Sequence, residues 1–158
     1  MASLHRQTLV DLVKQRGWTR GAELGVDRGV LTGMLLDGCP GLRLDAVDIF
    51  PDEERSHKAF ELAAHYQDRL TVVKATTDEA SDFYPDGYFD FVFVDADHSY
   101  EAVKSDIAHW ASKVRKGGWF GGHDYHPRKW PGVVQAVNEA YGKRAHQLPG
   151  TIWGVWVK

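Results

Sequence analysis

The chain has 158 residues, 43% of them apolar, and sets 19 Lys and Arg against 22 Asp and Glu for a formal net charge of −3. That length suits a single domain spanning residues 1–158, and a chain of this size removes roughly 70% of its unfolded surface from water, so its core needs neither disulfides nor a structural metal. The mildly acidic balance, with no block of Lys or Arg, argues against nucleic acid as a partner. The apolar runs are too short to span a membrane, and the single Cys39 cannot form an internal disulfide. The opening Met1-Ala-Ser-Leu-His-Arg6 lacks the apolar core of a signal peptide, so the expected location is the cytoplasm.

In chain order, a first helix is expected over 4–15, with Leu9, Leu12 and Val13 on one side and Gly17 as its stop. A short strand at 20–24 runs into a glycine-containing turn and a helix carrying Val30, Met34 and Leu35. A second strand at 42–47 closes on Asp48, and the segment 51–67 opens with Pro and acids, as helix starts do, before a third strand at 70–74. The run Phe89-Asp-Phe-Val-Phe-Val94 is the most apolar strand, of the kind buried on both faces of a parallel sheet. Tyr100, Val103, Ile107, Trp110 and Val114 then recur at helical steps, Lys116-Gly-Gly118 ends that helix, and 119–122 makes a fifth strand. A last helix over 131–141 precedes two extended arms, 144–148 and 151–157, joined at Pro149-Gly150 as an antiparallel hairpin. The predicted fold is α/β: three layers around a seven-stranded, mostly parallel sheet.

Ligands of such sheets bind beyond the carboxyl ends of the strands, so chemistry is sought there. The first strand leads through Glu23, Gly25 and Gly29, whose glycines allow a sharp turn and a close backbone approach. The spacing is not the G-x-G-x-x-G of dinucleotide binders. Asp48 stands where an acid accepts hydrogen bonds from ribose hydroxyls, or is a solvated loop residue. The densest polar cluster lies in Asp95-Ala-Asp97-His98 and His123-Asp124-Tyr125-His126, after the fourth and fifth strands. Carboxylates and imidazoles brought together there suit a divalent cation such as Mg²⁺, and histidine leaves Zn²⁺ or Fe²⁺ open. Asp97 also suits the start of the following helix, and His126 suits a plain loop.

The acid-x-Gly-x₃-Gly loop, the string Phe93-Val-Asp95-Ala-Asp-His98-Ser-Tyr-Glu-Ala-Val-Lys-Ser-Asp106, Gly117-Gly-Trp-Phe-Gly-Gly-His-Asp-Tyr125 and Pro131-Gly-Val-Val-Gln-Ala-Val137 together resemble the class I S-adenosylmethionine-dependent methyltransferases. Within that class the chain is most similar to the small family holding the metal-dependent sugar O-methyltransferases of macrolide and aminocoumarin biosynthesis, and more distantly to catechol and caffeoyl-CoA O-methyltransferases. The resemblance implies a Rossmann-like fold with S-adenosylmethionine bound by Glu23, Gly25, Gly29 and Asp48, and with Thr77 and Asp78 near the adenine. It implies a divalent cation on Asp95 and Asp124, with His123 in a position usually Asp or Glu, and His98 or Asp97 as base. The expected acceptor is a hydroxyl on a small molecule, a sugar or diol; self-association into a homo-oligomer stays open. A second reading is a donor-binding protein or partner subunit of the same fold without turnover. A third is a metal-dependent hydrolase built on His123, Asp124 and His126. Trp130 is a candidate pocket wall or a packing residue.

Overall fold

The structure, a computed structural model, describes residues 3–158; Met1 and Ala2 of the opening segment lie outside it. The elements are α1 (Leu4–Arg16), β1 (Arg20–Leu24), α2 (Val30–Gly38), β2 (Arg43–Asp48), α3 (Glu53–Tyr66), β3 (Leu70–Lys74), α4 (Thr77–Ser81), β4 (Phe89–Val94), α5 (Tyr100–Trp110), β5 (Val114–Gly122), α6 (Pro131–Tyr141), β6 (His146–Leu148) and β7 (Ile152–Trp156). Among the described residues seven strands form one sheet in the order β3-β2-β1-β4-β5-β7-β6. The first five are parallel, and β7 runs antiparallel to both β5 and β6. The expected α/β architecture is therefore present. Strand order reverses between β1 and β4, which makes their carboxyl ends the topological switch point where such sheets bind ligands.

The helix ends follow local chemistry. Gly17, at φ +64°, closes α1 with its N–H on the Lys14 carbonyl, while Trp18 N–H reaches Val13. At the start of α3, the Asp52 side chain accepts from Arg55 N–H, and Glu53 and Glu54 complement the helix dipole. Strand β4 explains the three layers: Phe91 and Phe93 enter a core with α1 and α2, and Val92 and Val94 enter a second core with α5 and α6. Full burial of each such side chain contributes about 1.5–3 kcal/mol. The polar member of that strand, Asp90, accepts from Thr19 and Arg20 N–H and pairs with Arg115, so it ties the amino-terminal edges of β1, β4 and β5 together.

Three expectations need correction. The apolar stripe of α5 stops at Trp110; residues 111–113 form a 3₁₀ turn, and Val114 opens β5 opposite Phe89. Strand β5 is accordingly longer than 119–122, and its register against β4 shifts between Phe89 and Phe91, which absorbs the Lys116-Gly-Gly118 segment as an irregularity rather than a helix stop. The first hairpin arm shortens to three residues because 142–144 coil into another 3₁₀ turn. Helix α4 was not expected; its signal was the capping box formed by Thr76 and Glu79. No helix of the described residues is long and apolar enough to cross a membrane.

Candidate active site

The parallel hydrogen-bond ladder continues one residue past three strand ends. Gly25 N–H reaches the Val47 carbonyl, Asp95 N–H the Leu24 carbonyl and His123 N–H the Val94 carbonyl, which sets three loops side by side at one edge of the sheet. The loops after β1, β2 and β5 bend sharply: Asp27, Phe50 and Asp124 all adopt positive φ, a costly conformation that clusters where a site must be shaped. Asp124, at φ +59°, is of a residue type that tolerates the left-handed region.

A cavity of about 940 Å³ lies over this edge, near the upper end of the range for small-molecule sites. Gly25, Asp48, Thr77, Asp78, Asp95, Asp97 and His98 all line it, and so does Trp130. Gly25 sits at φ +88°, and a Cβ there would fall 2.3 Å from the Asp95 carbonyl oxygen, so only glycine lets the first loop lie against the end of β4. Asp48 accepts from Val26 N–H (2.7 Å), Asp27 N–H (3.0 Å) and Phe50 N–H (2.7 Å). A carboxylate has about four acceptor sites, so one stays open toward the cavity. Thr77 donates to Asp106 at 2.5 Å, and Asp78 accepts from Ser105 at 2.8 Å. Burial pushes the Asp106 carboxyl up to about 6.

Glu23 and Gly29 do not line the cavity. Glu23 is 2% exposed, accepts from the Thr32 hydroxyl at 2.6 Å, and is pushed up to about 8, chiefly by burial. It braces the first loop against α2 from below, and Gly29 caps that helix beside Leu62. Asp97 accepts from Ser99 N–H at 2.7 Å, which holds its carboxyl below the ordinary range, while Ser99 caps α5. His126 accepts from Lys129 N–H and belongs to its own loop.

The acids and histidines after β4 and β5 do meet. His98 Nε2 lies 2.6 Å from Asp124 Oδ2 and 3.7 Å from Asp95 Oδ1, and His123 Nδ1 lies 3.3 Å from each of those oxygens. Asp95, then opposed by burial, and after it Asp124 hold the His98 imidazole above its ordinary value. Burial works to raise the Asp95 carboxyl, but His123 and His98 outweigh it and leave it low. The His98 ring stacks on Trp130 with centroids 4.4 Å apart. His98 Nε2 is buried yet makes no well-directed hydrogen bond, although two carboxylates flank it. A buried nitrogen without a partner, next to two carboxylates whose ligand atoms lie with it inside 4.8 Å, fits a cation-binding group.

Sequence reasoning missed three residues here. Ile49, directly after Asp48, is 55% exposed on the cavity wall, where a flat apolar ligand would cover it; its apolar character right after a strand-end acid was the available signal. Asp106 was visible only as one polar position on a helix. His5 of α1 stacks on His123 with centroids 3.8 Å apart, a contact that nothing in the sequence signals.

The strand order, the antiparallel seventh strand and a cavity at the switch point, together with a family pattern described as a methyltransferase domain, place the chain among the class I methyltransferases, which draw their methyl group from S-adenosylmethionine. The chain belongs to the family described as a methyltransferase domain, whose sequence pattern matches residues 22–125, from β1 to the residue after Asp124. Among curated proteins no sequence matches it. Its backbone is similar to that of CalS11, a TDP-rhamnose 3'-O-methyltransferase of calicheamicin biosynthesis, with a TM-score of 0.76 at 18% identity over 94% of this chain and 76% of that one. A Staphylococcus aureus protein described as a caffeoyl-CoA O-methyltransferase superposes with a TM-score of 0.75 at 13% identity, covering 95% and 80%. A Bacillus cereus O-methyltransferase solved with S-adenosylhomocysteine gives 0.72 at 22%, covering 98% and 80%. At these identities the likeness establishes the fold.

Proposed function

We propose that the enzyme transfers the methyl group of S-adenosylmethionine to a hydroxyl of a small polar molecule, a sugar or another diol, with a divalent cation held by Asp95 and Asp124. The observation that carries this reading is that one cavity is lined by Gly25 and Asp48 together with Asp95, His98 and Trp130. Its size accommodates a donor and a small acceptor together. The open acceptor site of Asp48 suits ribose hydroxyls, and exposed Ile49 suits the face of an adenine near Thr77 and Asp78. The similar proteins described as O-methyltransferases, one of them acting on a TDP-sugar, add support for an oxygen acceptor.

When bound, the cation would supply Lewis acidity that lowers the pKa of the reacting hydroxyl and favours acceptors with two neighbouring oxygens. The chain's own residues do the remainder. The loops after β1 and β2 would hold the donor, next to the groups that follow β4. The Asp124 carboxylate orients the His98 ring, which takes the acceptor's proton as the oxygen–carbon bond forms and the carbon–sulfur bond breaks. S-adenosylhomocysteine leaves with the electron pair of the broken bond, so charge and atoms balance. Alignment is the larger part of the task, because the sulfonium already activates the methyl group. Asp97, held low by Ser99 N–H, is the poorer base, and Trp130 walls the acceptor end against water.

The test is transfer of labelled methyl from S-adenosylmethionine to a panel of sugars, catechols and amines, with and without exhaustive chelation. Metal-dependent labelling of a hydroxyl is expected. Labelling of an amine or a carbon that survives chelation would overturn the reading, and donor binding without transfer to any acceptor would favour a protein of this fold without turnover.

A further inference from the structure

We propose that the amino-terminal helix completes a second cation position, formed by His5, Asp95 and His123, beside the one held by Asp95 and Asp124, and that this position takes a borderline divalent ion such as Mn²⁺, Fe²⁺ or Zn²⁺. The inference rests on the reading of Asp95 as a cation-holding carboxylate. The His5 and His123 rings face each other, 3.8 Å between centroids and 31° between planes, and His123 Nδ1 is 3.3 Å from Asp95 Oδ1. Ligand atoms from all three residues lie within 4.8 Å of one another, as do those of Asp95, His98 and Asp124. His5 has one weak polar contact of its own, with Ser3 Oγ at 3.5 Å, so little competes for its ring nitrogens.

The helix is held in this place from both sides. Leu9, Val10 and Val13 anchor α1 in the core, and the turn between β6 and β7 lies directly on the backbone of His5. Gly150 in that turn has φ +80°, and a Cβ there would stand 2.4 Å from the His5 nitrogen. His5 therefore reaches the cluster because the carboxyl-terminal hairpin presses the start of α1 against it. The two positions differ in donor chemistry. Two imidazoles and one carboxylate suit Fe²⁺, Zn²⁺ or Mn²⁺, whereas the two carboxylates of Asp95 and Asp124 give a harder, more oxygen-rich site that Mg²⁺ also accepts.

The experiment is calorimetric titration of the full chain with Mn²⁺ and, separately, with Mg²⁺, together with analysis of bound metal after desalting. It uses the wild type, His5→Ala, His5→Gln and Asp124→Asn. The wild type is expected to hold two Mn²⁺ and one Mg²⁺. Both His5 variants should hold one Mn²⁺ with Mg²⁺ binding unchanged, and their metal-free melting temperatures should match the wild type. Identical Mn²⁺ stoichiometry and affinity in the wild type and both His5 variants would overturn the inference. Loss of one Mn²⁺ in the His5 variants, together with methyl transfer by the wild type that survives chelation, would sustain it and overturn instead the cation's part in the reaction. No Mn²⁺ binding at all would overturn both.

Discussion

At the scale of single residues the strand-end acids divide into those that face the cavity and those that hold it up. Asp48 does both, since its carboxylate gathers three backbone N–H groups and keeps one acceptor site free. Asp48→Ala removes a charged acceptor, which is worth about 1.5–3 kcal/mol, so affinity for S-adenosylhomocysteine should fall about 10- to 150-fold in a calorimetric titration. Unchanged affinity would take Asp48 out of the donor site. His98→Ala should lower turnover roughly 10²- to 10⁴-fold and leave that affinity intact, because a general base acts on the transition state. If instead melting drops and the rate holds, His98 is a structural residue. Glu23 belongs to the supporting set, and its effect is on stability. Its folded value of about 8 lies above its ordinary 4.5. Between those values the folded chain keeps a proton that the unfolded chain has released, so stability falls as pH rises through this window, by up to ~1.4 kcal/mol per pH unit. Glu23→Gln should flatten that slope in urea titrations run from pH 5 to pH 8; an unaltered slope would mean that Glu23 ionises normally. Asp95, His98, His123 and Asp124 were legible because they lie just past the ends of two apolar strands, whereas His5, on α1, was not. The split between Asp48, which lines the cavity, and Glu23, which does not, was hidden, because it depends on which way a side chain turns at the end of a strand.

At the scale of elements, β4 with its neighbours determines where the site falls. Asp90 near its start satisfies the N–H groups of Thr19 and Arg20 where the chain enters β1 and pairs with Arg115 of β5, while Asp95 just past its end joins the cluster. Asp90→Ala should therefore destabilise the chain by about 1–2 kcal/mol, since charge-assisted bonds to Thr19, Arg20 and Arg115 are lost, and should do so without changing the affinity for S-adenosylhomocysteine. Loss of that affinity at a temperature where the variant is folded would show that the far end of the sheet is coupled to the site. The first five strands and their connecting helices, apart from α4, could be read from apolar runs and turn residues, because alternating βα units repeat one local pattern. What could not be read is where long-range pairing overrides that pattern. Val114 fits the helical stripe of α5 as well as it fits a strand, and only its partner Phe89, 25 positions away, decides the matter. The three-residue β6 likewise exists because β7 runs beside it.

At the scale of the whole molecule, the sheet draws the two ends of the chain together. β7 enters between β5 and β6, and its turn lies against the first residues of α1, so His5 and the loop around Asp124 become neighbours only when the last strand is in place. Parallel strands separated by long stretches of sequence pair late, and the cluster, whose members run from position 5 to position 124, is likewise built from contacts far apart in sequence. The history of folding follows from this. The ion-binding groups converge after the rate-limiting step, so the metal should act as a latch on a finished structure and not as a seed for its formation. In stopped-flow experiments Mn²⁺ should slow unfolding roughly in proportion to the stability it adds and leave the refolding rate nearly unchanged. Faster refolding with metal would mean that the two ends of the chain meet early.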